Sequence, residues 1–329
     1  MIISQTPLRI SLAGGGTDLA NYYKENEGFV VSTAIDKYIY VIVKERFDDL
    51  IYVDYSKKEI INSVDEIQHD LVREAARITG LKKGFEVMML ADIPSEGSGL
   101  GSSSSLTVGL LHSFYQYKGK LVTSEQLARE ACMIEIDILK RPIGRQDQYI
   151  AAYGGLKAFK FCKDNTVEVT DIEVGSEPKR KLGSNLLLFF TNTTRTASSI
   201  LEEQSKNIMS NLEFHDKIKE LAYDSFEGLK SLDINRIGEN LKLNWEMKKH
   251  LAANVTNKEI DRMHDLAMKG GALGAKISGA GGGGFLAVYC ERDRQDNLRR
   301  TLREYRELPF LLEKYGSKII FDQTKYDIK

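Results

Sequence analysis

Along the first third of the chain, apolar and polar positions alternate or gather in short blocks, the signature of strands rather than helices. The β-branched and aromatic runs Phe29 to Val43 and Ile51 to Tyr55 predict strands, as does the alternating run Phe85 to Leu90. After a serine cluster the period lengthens. Leu106, Leu110, Leu111 and Phe114 recur at i, i+4, i+5 and i+8, which predicts a helix over about 103–117 with one buried face. A second helix is predicted from Thr123 or Ser124, carrying Leu127, Ala131, Ile134 and Ile138 on one face until Pro142 and Gly144 stop it. Glu135 lies beside that apolar stripe.

The stretch from about 165 to 185 is polar and holds Gly175, Pro178 and Gly183, the composition of a surface connection. A strand at Asn185 to Thr191 follows, then a long helical region to about Gly270. Strands at Lys276-Ile277 and Phe285 to Cys290, an amphipathic helix near Gln295 to Tyr305 and a strand at Lys318 to Phe321 complete an α+β pattern. With 329 residues, more than one core usually serves, two domains are expected, 1–175 and 176–329.

Composition removes several function classes. The 46 Lys and Arg balance 47 Asp and Glu, so no long-range field draws the chain to nucleic acid or an anionic membrane. The segment Met1 to Pro7 lacks a basic start and a long apolar stretch, and apolar runs such as Leu186 to Phe190 are far short of a membrane span. A cytoplasmic location is expected. Cys132, Cys162 and Cys290 are widely spaced in apolar surroundings, which suits buried thiols. The five histidines show no metal-ligand spacing. Asn244, Trp245, Lys248 and Lys249 read as helix surface and packing.

The chemistry gathers in three glycine-rich segments. The middle one runs from Pro94 through Gly97, Ser98, Gly99, Leu100, Gly101, Ser102, Ser103 and Ser104 to Ser105, between a strand and a helix. Glycines permit close backbone approach, and successive N–H groups at a helix N-terminus attract a polyphosphate. No Gly-Lys-Ser/Thr closes the loop and the spacing is not Gly-x-Gly-x-x-Gly, so neither a Walker A nor a dinucleotide site is expected. The other two segments are Pro7 to Asp18, with Arg9 entering a Gly14-Gly15-Gly16 turn, and Gly274 to Gly284, with glycine at all four of 281–284.

In this order and at these positions the three segments resemble the motifs of the GHMP family of small-molecule kinases. The resemblance implies a ribosomal-protein-S5-like N-terminal half, a ferredoxin-like C-terminal half, ATP as donor and Mg²⁺ as cofactor. It implies that residues 94 and 97–104 hold the nucleotide and that Ser103 and Glu135 hold the metal. Asp147, in Gly144-Arg145-Gln146-Asp147-Gln148, is the expected general base, with Arg9 neutralising charge beside it. Asp147 also reads as a cap of a short helix starting at Gln148, in which case it orients the acceptor hydroxyl more than it deprotonates it. Gly15, Gly16, Thr17 and Asp18, together with Gly281 and Gly282, are expected on the sugar.

Galactokinases of the family carry Gly-Glu-His where this chain has Gly14-Gly15-Gly16, which argues against galactose. The acceptor implied by the resemblance is D-glycero-D-manno-heptose 7-phosphate, phosphorylated at its anomeric hydroxyl for nucleotide-heptose and surface polysaccharide synthesis. L-fucose or another hexose is the alternative acceptor, and a silent sugar or nucleotide sensor the alternative class. Arg195, at the end of the strand from Asn185, is a candidate anchor for the substrate phosphate, with Lys140, Arg141 and Arg145 as alternatives. The sequence leaves the oligomeric state open, a homodimer included.

Overall fold

The computed structural model describes residues 1–94, 97–193 and 197–323, apart from the side chains of Ala197 and Ser198. The N-terminal strands are β1 (Ile2–Ala13), β2 (Gly28–Glu45), β3 (Ile51–Asp54), β4 (Lys58–Ile61), β5 (Phe85–Ala91), β6 (Leu156–Phe161) and β7 (Val167–Asp171). Further along lie β8 (Leu186–Phe190), β9 (Gly274–Ile277), β10 (Phe285–Tyr289) and β11 (Lys318–Asp322). They form an eight-stranded sheet ordered β11-β1-β2-β5-β3-β4, with β6 also on β2 and β7 on β6, and a three-stranded sheet β8-β10-β9.

The predicted strands of the first third are present, but two expectations change. The connection expected between 165 and 185 contains β7 and the helix Ser176–Asn185. The last strand does not complete the C-terminal half: β11 pairs antiparallel with β1 through Ile2–Gln5, so a division at 175 and 176 does not hold to the end of the chain. An α+β architecture remains.

β1 explains where the glycine loop sits. Its register against β2 shifts between Pro7 and Leu8, where proline has no N–H to continue a ladder. β11 covers β1 only as far as Gln5, and beyond it the Arg9 N–H donates to Leu100 O at 3.0 Å. The unpaired edge of β1 is therefore occupied by the loop. Ser105 Oγ donates to Pro7 O at 2.8 Å, and the helix Ser102–Tyr117 packs so closely that a Cβ on Gly109 would stand 2.9 Å from Thr6 Oγ1.

The small sheet is buried on both faces, which is why β8 and β10 read as continuous apolar runs rather than alternating ones. Leu186, Leu188, Phe285, Ala287 and Tyr289 join the core of the large sheet; Leu187, Phe189, Leu286 and Val288 join a second core with Trp245 and Ile277. The helix Arg236–Lys248 lies along β9, where a Cβ on Gly274 would come within 1.9 Å of Gly238 O. The helix Leu212–Lys230 reaches the large sheet, where Tyr223 stacks on Phe29 at 4.0 Å. No helix of the described residues is long and apolar enough to cross a membrane.

Candidate active site

Between the two sheets lies a cleft with about 1050 Å³ of empty space, counted out to open solvent. Gly97, Ser98, Gly99, Gly101, Ser102, Ser103 and Ser104 line one side. Gly97, Gly99 and Gly101 all have positive φ, 67°, 72° and 82°, which turns alternate peptides in a way other residues resist. Gly101 is the N-cap of the helix Ser102–Tyr117 and offers no side chain to its first N–H groups, so these are left for a ligand. The third segment closes against this loop: a Cβ on Gly99 would lie 2.4 Å from Ser278 O, and one on Gly284 2.4 Å from Ser98 O.

Arg9 joins the loop to the chemistry. Buried to 3% exposure, it donates from Nη1 to Gly99 O at 2.6 Å and from Nε and Nη2 to the two carboxylate oxygens of Asp147 at 2.7 and 2.8 Å. This planar two-point contact fixes both side chains. Asp147 is not an N-cap: the helix runs Gln146–Tyr153 after Arg145, and Asp147 stands inside its first turn. The same helix start holds Asp18, whose Oδ2 accepts the Gln146 N–H at 3.1 Å while Oδ1 accepts that of Gly16 at 2.9 Å. Burial, with the nearby Asp147 charge, raises the Asp18 carboxyl above its ordinary value against those two donors. Gly144 is required here, since a Cβ would fall 1.9 Å from Asp18 Oδ2.

Glu135 sits on a π-helical segment, Met133–Ile138, rather than on the regular helix predicted, which ends at Cys132. Such a wide turn re-aims a side chain, and Glu135 is fully buried. Ser103 Oγ donates to its Oε1 and Gln148 Nε2 to its Oε2 at 2.8 Å. Arg141 Nη1 lies 2.7 Å from Ser103 Oγ and 3.3 Å from Glu135 Oε1, and its Nη2 grips Asp70 at 2.9 and 3.1 Å. Burial pushes the Glu135 carboxyl up, opposed by Ser103, Ser104 and Arg141. A hydroxyl and a carboxylate side by side at the glycine loop suit a hard cation. Among the described residues no group of three or more His, Cys, Asp or Glu gathers, so nucleotide oxygens must complete any shell.

The opposite wall holds residues not selected from the sequence. Asn244, Lys248 and Lys276 are 2%, 7% and 3% exposed and line the cleft, so Asn244 and Lys248 are not surface helix residues. Lys248 Nζ donates to Ile277 O at 3.1 Å and to Gly279 O; Lys276 Nζ donates to Asn244 Oδ1 at 3.4 Å. Burial and the Arg9 charge push Lys248 down to about 7, and burial with Lys248 and Arg9 pushes Lys276 well below the ordinary lysine value. Lys276 lies inside the third glycine segment, in the buried strand Gly274–Ile277; a lysine amid such neighbours was the available signal.

Other expected site residues lie elsewhere. Thr17 is fully buried and ties Gly14 O and Phe29 O together at 2.8 and 3.1 Å, whereas Gly15 and Gly16 line the cleft. From the third loop Gly279 and Ala280 line it, while Gly281 and Gly282 turn against Val255. Pro94 lies outside the lining, and Leu100 is buried with its carbonyl on Arg9. Arg145 donates to Asn165 O at 2.7 Å and faces Tyr23 and Tyr149, Arg141 is committed to Asp70 and Glu135, and Lys140 is exposed. Arg195 lies outside the described residues.

Residues 62–155 match the family described as the GHMP kinases N terminal domain, and 225–307 the GHMP kinases C terminal. The chain is 33% identical to the D-glycero-alpha-D-manno-heptose 7-phosphate kinase of Campylobacter jejuni over 92% of its own length and 93% of the relative's. It is 27% identical to the L-fucokinase/L-fucose-1-P guanylyltransferase of Bacteroides fragilis, covering 88% of this chain and 35% of that protein. A crystal structure of a D-glycero-D-manno-heptose 1-phosphate kinase from Bacteroides thetaiotaomicron superposes with a TM-score of 0.82 at 26% identity, covering 98% of this chain and all of that one.

Proposed function

This chain belongs to the GHMP kinase family, a phosphotransferase that moves a phosphoryl group from ATP to a sugar hydroxyl, and on that premise we propose that its acceptor is D-glycero-D-manno-heptose 7-phosphate, phosphorylated at the anomeric oxygen. The single observation that carries the chemistry is the two-point contact of Arg9 with Asp147 beside Gly99 and Gly101. The 33% identity to a heptose 7-phosphate kinase supports the acceptor.

In the proposed reaction the anomeric oxygen forms its bond to the γ-phosphorus as the bond to the β,γ-bridging oxygen breaks, and ADP leaves. Arg9 occupies one lone-pair direction on each Asp147 oxygen, so the carboxylate can still accept the acceptor O–H and take its proton. Arg9 neutralises charge on the moving phosphoryl group. Asp18, fixed by the Gly16 and Gln146 N–H groups, orients sugar hydroxyls with Gly15 and Gly16. Ser103 and Glu135 would hold Mg²⁺, which supplies charge neutralisation at the phosphates. Residues 1–175 then form the nucleotide and acceptor half and 176–329 the second half, with β11 returned to the first sheet. Use of ATP fits a cytoplasmic setting.

Incubating the protein with ATP, Mg²⁺ and a panel of sugars, with ADP formation followed, tests the reading. Heptose 7-phosphate is expected to give the highest kcat/KM. A higher value for free L-fucose would transfer the acceptor to the class of the fucokinase relative while leaving the kinase intact.

A further inference from the structure

Among the described residues Lys248 and Lys276 are buried amines without a counter-ion. Neither amine pairs with a carboxylate of those residues; their partners are the carbonyls of Ile277 and Gly279 and the Asn244 amide oxygen. Once protonated, an ammonium carries three donors, so Lys248 would retain one and Lys276 two. Asn244 Nδ2, in the same wall, is buried with no partner among the described residues. Burying unpaired positive charge is costly, and leaving a donor unmade adds to the cost. All three side chains line the cleft that the glycine loop lines from the other side.

We propose that Lys248, Lys276 and Asn244 form a binding site for a phosphoryl dianion on the wall of the cleft facing the glycine loop. The proposal rests on the kinase reading above and adds the second half of the chain to phosphate recognition. Two ligands bring this chemistry: the γ-phosphoryl group of the nucleotide and the phosphate of a sugar phosphate. Placement favours contact near the moving group. Lys248 holds Gly279 O, Gly279 packs on Gly99, and Gly99 O holds Arg9. Asn244 lies one helical turn before Lys248 and reaches Lys276, extending the donors deeper along the same wall. Burial, together with the neighbouring positive charge of Arg9, lowers the affinity of both lysines for protons, and a bound dianion would raise it again.

The test is isothermal titration of the full chain, wild type and Lys248→Met, Lys276→Met and Asn244→Asp, with four probes: ADP, β,γ-imido-ATP, heptose 7-phosphate and unphosphorylated heptose. Losing a charge-assisted contact weakens binding by about 10-fold or more. Weakened imido-ATP with ADP held within about twofold identifies the γ-phosphoryl group as the ligand. Weakened heptose 7-phosphate with free heptose held identifies the acceptor's phosphate. Lys248→Arg should retain the selectivity that Lys248→Met loses. Variants that bind all four probes as wild type does, or weaken all four alike, overturn the proposal. If a Met variant does not fold by thermal melting, Asn244→Asp still decides, because an added carboxylate must repel a dianion selectively. Should wild type not bind heptose 7-phosphate, the proposed acceptor falls and the nucleotide pair of probes still decides the phosphoryl site.

Discussion

The two walls of the cleft handle charge in opposite ways. On the side built by the first half of the chain the described charged groups are already paired: Arg9 with Asp147, Glu135 with Ser103, Gln148 and Arg141, Asp18 with two backbone N–H groups. On the other wall, among the described residues, Lys248 and Lys276 meet only neutral oxygens and Asn244 Nδ2 meets no partner. A paired wall is preorganised, so its geometry holds before substrate arrives. An unpaired wall is destabilising when empty and is relieved by the ligand, which converts binding into folding stability.

If the first wall is preorganised for chemistry, the largest loss comes from removing its proton acceptor. Asp147→Asn is expected to lower kcat by about 100-fold or more with nucleotide affinity kept, because the amide keeps one acceptor oxygen for Arg9 but cannot take a proton. Near-normal turnover would remove Asp147 from the reaction. Gly144→Ala attacks the same wall without touching a charge: the new methyl must displace Asp18, and KM for the sugar is expected to rise by about 10-fold with the nucleotide KM unchanged.

Glu135→Gln should raise the Mg²⁺ concentration for half-maximal activity by roughly several-fold, and an unchanged magnesium titration would leave Glu135 only as a structural partner of Ser103, Gln148 and Arg141. The second wall makes the opposite prediction for stability. Lys276→Met replaces a buried, uncompensated cation with an apolar chain of similar length, so the empty protein should melt about 2 °C or more higher while activity falls. A lower melting temperature in the absence of ligand would show that Lys276 is already compensated.

The smallest effect is the uptake of at most about one proton. Burial pushes Lys248 down to about 7 in the folded chain, against about 10.4 in an unfolded one. Between those values the unfolded chain binds the extra proton, so this lysine's contribution to stability rises with pH across that window. Burial is the main cause, and the Arg9 charge acts on it in the same direction. A bound dianion reverses the shift, and nucleotide binding near pH 8 should take up as much as about one proton, read as a dependence of binding heat on the ionisation enthalpy of the buffer. Equal heats in all buffers would separate Lys248 from the nucleotide.

Much of the first wall was legible in the chain because its parts are local. The glycines of 97–101, the serines that open a helix and the position of Arg9 before a glycine turn are short-range patterns whose backbone consequences follow from φ and from helix ends. The Thr123 cap is a similar case, its hydroxyl accepting the Gln126 N–H at 3.2 Å. The second wall was not legible. Lys248, followed by Lys249 and His250 at the end of a charged helix, has the sequence context of a solvated turn, and only the close approach of Gly238 to Gly274 lays that helix on β9 and buries the lysine against Gly279.

The sequence by itself determined the elements that local stereochemistry controls: strands from β-branched runs, the helix behind the phosphate loop, the glycine turns and the identity of the groups able to take a proton or hold a cation. Tertiary structure alone decided which of them meet. Asp147 faces Arg9 across 138 residues because the loop fills the β1 edge that β11 leaves open beyond Gln5. Glu135 reaches Ser103 because a π turn rotates it off the predicted face. The fate of a charge was likewise decided there, since an ammonium is worth little on a solvated helix and becomes a phosphate-seeking group only where packing removes water and supplies no carboxylate.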